Sequence, residues 1–167
     1  MVEYIKFRRL DQHAVIKSDI LSLANGLDLN VSAVQVKGWV YATLDDNQIF
    51  QEDAENLSHA LNLIDVKKLY GCWVDHMNLA DDFDVMIFDT DKKSIEDSQN
   101  LDLCLLDADH SYIFGDDNLK FLIIRPDRNR WPVPYTLIVA GSPSFVQAAC
   151  ADRGWIINDP NVNRSSR

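Results

Sequence analysis

The sequence has little glycine and proline and no long apolar run, and each shortage excludes a class of protein. Glycine and proline number 6 and 5 in 167 residues, which excludes collagen-like and linker-rich chains. No apolar run approaches the roughly 18 residues that suggest a membrane-spanning helix. The first residues, Met1 to Lys6, contain no apolar core of a secretory signal. We therefore expect a cytoplasmic globular protein that does not associate with membranes.

Cysteine is also scarce, and its spacing excludes two further classes. Cys72, Cys104 and Cys150 are odd in number, far apart and embedded in apolar runs, so we predict core residues and not a disulfide framework. No Cys-x-x-Cys pair or Cys/His cluster is present, which argues against structural zinc. The sequence also lacks a glycine-rich phosphate loop and a nucleophile elbow. We predict no cofactor, and an enzyme is the less favoured interpretation.

Basic residues are nearly absent from one segment of the chain. Between Asp75 and Asp117, 13 acids occur with only Lys92 and Lys93, whereas the rest of the chain is close to neutral. The net charge of −10 repels nucleic acid and anionic membrane surfaces. We therefore predict that a partner, if there is one, is a basic protein and not nucleic acid.

The hydrophobic pattern predicts one α+β domain over residues 1–167, with a polar tail from about residue 158. Apolar residues at helical spacing predict three helices, at about 11–25, from 53 and from 143, the last capped by Ser142. Apolar or alternating runs predict strands at about 31–43, 69–74, 83–88, 101–106, 119–124 and 135–140, with shorter ones at 112–114 and 155–157.

The connections within the acidic segment are too short for crossover helices, so these strands should pair mainly in an antiparallel way. We expect a sheet of about six to seven strands with the three helices on one face. Residues 89–100 and 125–134 are predicted to be loops, and Gly38 is predicted to mark a bulge in the strand at 31–43.

Two apolar runs each end in an Asp-x-Asp pair, and these pairs carry one hypothesis for function. Asp89 and Asp91 follow one run, and Asp107 and Asp109 follow the next. Carboxylate oxygens suit magnesium, manganese or calcium, and two at i and i+2 past a strand end can converge on one ion. The alternative function is therefore a divalent-metal-dependent enzyme of phosphotransfer or glycosyl transfer.

The favoured hypothesis is an acidic binding or inhibitor domain. The composition is similar to that of bacterial immunity proteins for nuclease toxins and of DNA-mimicking inhibitors from phage, which implies neutralisation of a basic toxin or other nucleic-acid-binding protein. Carboxylates would cover the cationic site and steer association. The predicted partner-binding residues are the acids of the segment and one aromatic anchor: Asp81, Asp82, Asp84, Asp89, Asp91, Glu96, Asp97 and Tyr112. Acids fanned over a convex face favour binding, and convergent acids favour a metal site.

Overall fold

The structure, a computed structural model, describes residues 3–7, 12–46, 48–79, 83–99, 110–115, 118–126 and 136–162. The strands in these residues are β1 (Glu3–Phe7), β2 (Ala24–Asn25), β3 (Asp28–Leu29), β4 (Val40–Leu44), β5 (Lys68–Trp73), β6 (Phe83–Asp89), β7 (Ser111–Gly115), β8 (Phe121–Arg125), β9 (Leu137–Gly141) and β10 (Ile156–Asn158). The helices are α1 (Gln12–Leu23), α2 (Val31–Val36), α3 (Glu52–Leu63), α4 (Val74–Leu79), α5 (Lys92–Asp97) and α6 (Pro143–Ala149).

Eight of the strands form one antiparallel sheet. Their order is β1-β6-β5-β7-β8-β9-β4-β10, and β2 and β3 form a separate two-stranded sheet. Every strand pair in the described residues is antiparallel. The predicted α+β class is confirmed, with three main helices and an antiparallel sheet one strand larger than expected.

Helices cover both faces of the sheet, so the prediction of one covered face is wrong. Strands β7, β8 and β9 are buried at every position, and their side chains alternate between two cores. One core includes residues of α3, α5 and α6 and defines the α3 face. The other includes residues of α1, α2 and α4 and defines the α1 face. A run such as Phe121 to Ile124, apolar at consecutive positions, is typical of a strand buried on both sides.

Two predicted helices form for the reasons that the sequence suggests. In α3 the buried residues lie on one face, and acids occupy the first turn, where they interact favourably with the helix dipole. In α6 the Ser142 hydroxyl accepts a hydrogen bond from Phe145 N, and Pro143 occupies the first helical position.

Two segments that were predicted to be extended or irregular are helical instead, and one further helix was not predicted. Residues 31–36 form α2, because the Asn30 side chain caps its first turn and Gly38, at a φ of +70°, ends the helix before β4. The predicted loop at 89–100 contains α5, which Asp91 caps, and the residues after β5 form α4. The predicted strand at 101–106 lies outside the described residues.

Candidate functional site

The predicted partner-binding acids whose side chains the structure describes all have ion-pair or hydrogen-bond partners. Asp89 forms an ion pair with Lys68, and Asp97 forms one with Lys93. The Asp91 carboxylate accepts hydrogen bonds from the Ser94 hydroxyl at 2.6 Å and from Ser94 N at 2.9 Å, and these bonds lower its pKa. The side chains of three predicted partner-binding residues lie outside the described part of the structure: Asp81, Asp82 and Asp84.

Tyr112 is not a surface anchor. Its side chain is fully buried in the core of the α1 face, and its hydroxyl donates a 2.7 Å hydrogen bond to the Gly26 carbonyl. The prediction that it contacts a partner is wrong because the short apolar run around it lies on a central strand and not at the surface.

The Asp-x-Asp pairs do not assemble a metal site within the described part of the chain. Asp107 and Asp109 lie outside it, and Asp89 and Asp91 are engaged by Lys68 and Ser94. Among the described residues, no group of three histidine, cysteine or acidic side chains is arranged to hold a metal ion.

Acids from four separate segments instead surround the N-terminus of α3. We call them the acidic rim, and its members are Asp45, Asp46, Glu52, Asp53, Glu55, Glu96 and Asp152. Five of them are exposed, and Asp53 and Glu96 are half-buried. No lysine or arginine occurs between residues 38 and 66, the range that contributes five rim members. The rim is therefore a solvent-facing surface with dense negative charge.

Specific hydrogen bonds hold α5 against the loop before α3. The fully buried Gln99 side chain accepts from Ile49 N at 2.6 Å and donates to the Ile49 carbonyl at 2.8 Å, which attaches the end of α5 to the loop before α3. Glu96 accepts from Gln51 N at 2.8 Å. Gln51 has a φ of 53°, a conformation that costs a non-glycine residue about 1–3 kcal/mol. The loop is thus held in one strained conformation.

The pKa of Asp53 is raised by its position in the rim. Burial raises the pKa of its carboxyl, and the neighbouring carboxylates of Asp152 and Asp46 raise it further. A 2.8 Å hydrogen bond from the indole Nε1 of Trp155 opposes this by lowering the pKa. These couplings connect Asp152, after α6, with the first turn of α3.

Substitution of Asp152 by asparagine is expected to lower the pKa of Asp53, because it removes one like charge. Because the pKa of Asp53 is higher in the folded than in the unfolded state, protonated Asp53 contributes stability at a pH below the unfolded-state pKa. That contribution is lost as the pH rises through the folded-state pKa. Asp152→Asn should therefore stabilise the protein slightly at neutral pH, and the gain should disappear at about pH 3, where the Asp53 carboxyl is protonated. Carbon-detected NMR titration of Asp53 and thermal unfolding at both pH values measure this. An unchanged Asp53 pKa would contradict the proposed coupling.

A row of polar and aromatic side chains lies at the same end of the sheet as the rim, and Ser111 and Arg125 in it are buried. Trp73, Ser111 and Arg125 are in register across β5, β7 and β8, and the His76 ring packs edge-on against Trp73 at 4.8 Å. Arg125 was predicted to open a loop, but it ends β8 and is fully buried, with Nη1 donating to the Pro126 carbonyl at 3.2 Å. Within the described residues, Ser111 Oγ and His76 Nδ1 have no hydrogen-bond partner.

The rim was missed because its members are close only in the folded chain. The excess of acids along the sequence is largest in residues 75–117, whereas six of the seven rim acids lie outside that range. One signal was present: residues 38–66 hold six acids and no lysine or arginine. The contact of Asp53 with Asp152 and Trp155, about a hundred residues away, has no counterpart in sequence spacing.

Comparison of the chain with protein-family models, with curated proteins and with solved structures gives no match. Among the helices of the described residues, none is long and apolar enough to cross a membrane.

Proposed function

We propose that this protein binds a basic protein through the acidic rim and neutralises it, as an immunity protein neutralises a toxin nuclease. The observation that supports this is the gathering of acids from four chain segments around the N-terminus of α3, with five of the seven exposed. The helix dipole gives a structural reason for Glu52, Asp53 and Glu55. Glu96 also has a structural role, because it accepts a hydrogen bond from Gln51 N directly before α3.

An exposed carboxylate array suits a cationic nucleic-acid-binding surface. Such a surface is built from lysine and arginine side chains that bind phosphates, and carboxylates present the same charge to them. Complementary electrostatic potentials raise association rates by about 10- to 1,000-fold, and this enhancement falls steeply as the salt concentration rises. Occupation of the cationic site by the rim would exclude nucleic acid from it.

We expect the encounter to occur in the cytoplasm. Cys72 and Cys150 are free thiols buried in the two cores, and free thiols persist in a reducing compartment.

A capture experiment with matched variants tests the proposal. The rim variant combines Asp45→Asn, Glu52→Gln and Asp152→Asn, which removes one charge from each of three rim segments. The control variant combines Asp19→Asn, Asp28→Asn and Asp75→Asn, on elements outside the rim, and has the same net charge. Wild type and both variants are immobilised and exposed to lysate of the native host at low and physiological salt, and mass spectrometry identifies the retained proteins.

Wild type and the control variant should retain one basic protein that salt releases, and the rim variant should lose it. Equal retention by the two variants would remove the rim as the binding surface. Retention of an acidic protein would contradict the electrostatic basis of the proposal.

The metal-dependent enzyme stays an alternative hypothesis, since Asp107 and Asp109 lie outside the described residues. Metal analysis of the purified protein tests it. A stoichiometric divalent cation that is lost on Asp107→Asn would favour that alternative.

A further inference from the structure

The strand β10 at one edge of the sheet is unusually apolar for an edge strand. Ile156 is 65% exposed and Ile157 is 45% exposed, and no charged residue occurs within the strand. Its inner side pairs with β4, and in the described residues no strand pairs with its outer side. Natural edge strands usually carry charges that discourage pairing with another chain. The opposite edge strand, β1, follows that rule in sequence, since it includes Glu3 and Lys6.

Further exposed aliphatic side chains and a cleft lie beyond the end of β10. Val36 is 88% exposed and Val162 is 61% exposed. A cleft of about 270 Å³ is lined by Ser32, Gln35, Val36 and Asn161. Gln35 Nε2 donates to the Pro160 carbonyl at 3.1 Å, so the residues after β10 are attached to α2 along this cleft. Exposed aliphatic side chains thus occur past the strand as well, beside a cleft with mainly polar lining.

Acids flank both ends of this edge. Ile156 is opposite Thr43, so the start of β10 lies beside the end of β4 and the rim acid Asp45 that follows it. The indole Nε1 of Trp155, next to Ile156, donates a hydrogen bond to Asp53 of the rim. At the other end, Asp159 directly follows Asn158. Arg153 also precedes the strand, but the acids outnumber it at that end. A segment that pairs with β10 would therefore meet mainly negative charge before the isoleucines and one acid, Asp159, after them.

This charge pattern disfavours a second copy of the chain as the occupant. Two-fold antiparallel pairing of β10 with itself would bring the end near Asp45 toward the end that carries Asp159 of the other copy. Each copy also has a net charge of −10. Like charges placed opposite each other across strands destabilise the pairing.

We propose that the outer edge of β10 binds an extended segment of the basic partner, which adds a strand to the sheet. Main-chain hydrogen bonds to β10 would supply affinity. Apolar residues of the segment would contact Ile156 and Ile157, and its cationic residues would lie near the flanking acids. The inference rests on the proposed function, because it takes the same basic partner as occupant, and it adds the binding mode.

A synthetic peptide of alternating lysine and valine is the probe, so the test needs no captured protein. Its binding to the full chain is measured by NMR, with backbone amide exchange of Ile156, Ile157 and Asn158 as the readout. A peptide with the same residues and a central proline cannot pair as a strand. A third peptide of alternating glutamate and valine tests the requirement for positive charge.

We expect the lysine-valine peptide to slow exchange in β10, and the proline and glutamate peptides to bind at least about tenfold more weakly. Ile156→Lys should weaken binding by about tenfold or more, because it places a cation on the edge. Leu63→Lys is the matched control, since Leu63 is 61% exposed at the far end of α3 and the charge change is the same. The control should bind like wild type.

Several outcomes would overturn the inference. Equal binding of the proline peptide, or equal loss in Ile156→Lys and Leu63→Lys, would show charge attraction without strand pairing. A concentration-dependent dimer in sedimentation that Ile156→Lys abolishes would assign the edge to a second copy. If Ile156→Lys alters the fold, Ile156→Thr takes its place, and unchanged amide exchange in wild type contradicts the inference without any variant. Equal retention by the rim and control variants in the capture experiment, with β10 protected by the peptide, would contradict the proposed function alone.

Discussion

Replacement of Gln99 by leucine is expected to lower the free energy of unfolding by about 3 kcal/mol. The side chain is buried, and its amide forms both hydrogen bonds that the Ile49 backbone would make with a neighbouring strand, at 2.6 and 2.8 Å. Its Nε2 also donates to the Ile95 carbonyl at 2.9 Å. Leucine fills similar space but leaves the Ile49 N–H and carbonyl without partners, and each unsatisfied buried group costs about 1–3 kcal/mol.

Urea unfolding of the wild type and Gln99→Leu measures this loss. Gln35→Leu is the matched control, because the Gln35 side chain is only part-buried and donates one hydrogen bond, to Pro160, so its loss should cost about 1 kcal/mol or less. Gln99→Glu should be as damaging as leucine, since it loses the donor and buries a charge. Equal stability of Gln99→Leu and Gln35→Leu would contradict the assigned role.

Replacement of Phe145 by alanine is expected to cost about 3–5 kcal/mol. The ring is fully buried between α6 and the sheet, with its centroid 5.1 Å from that of Phe121. It packs where Gly141 has no side chain, since a Cβ there would lie 2.7 Å from Phe145 Cδ1. Alanine would leave a cavity between α6 and the sheet.

The same unfolding measurement tests Phe145→Ala, with Phe145→Leu as the conservative control. Leucine keeps most of the apolar volume and should cost about 1.5 kcal/mol or less. A loss below about 1 kcal/mol for alanine would mean that the site collapses around the smaller side chain. The packing of α6 against β8 and β9 would then contribute less than the contacts indicate.

The sequence was informative wherever local chemistry decides the structure. α3 and α6 were predicted from apolar spacing and from the Ser142 cap, and β9 and β10 were predicted from apolar runs bounded by turn residues. α2 was mistaken for a strand because its valines favour strands, whereas the Asn30 cap and Gly38 decide the outcome. α5 was missed because its first turn is polar and only Ile95 is buried.

The candidate site was predictable only in its sign of charge. Asp89, Asp91 and Asp97 were selected from sequence, and local contacts with Lys68, Ser94 and Lys93 engage all three. The rim depends on tertiary contacts instead. It requires Gln99 to hold α5 against the loop before α3, and β10 to bring Trp155 to Asp53. Sequence spacing carries no information about such contacts.

The most direct test of the account is the association rate of the captured basic partner with the wild type, the rim variant and the control variant, measured by stopped flow at several salt concentrations. Electrostatic steering by the rim predicts a rim variant at least about tenfold slower at low salt, with a shallower salt dependence. The control variant, with the same net charge, should associate about as fast as wild type. Equal rates for the rim and control variants would contradict binding through the rim.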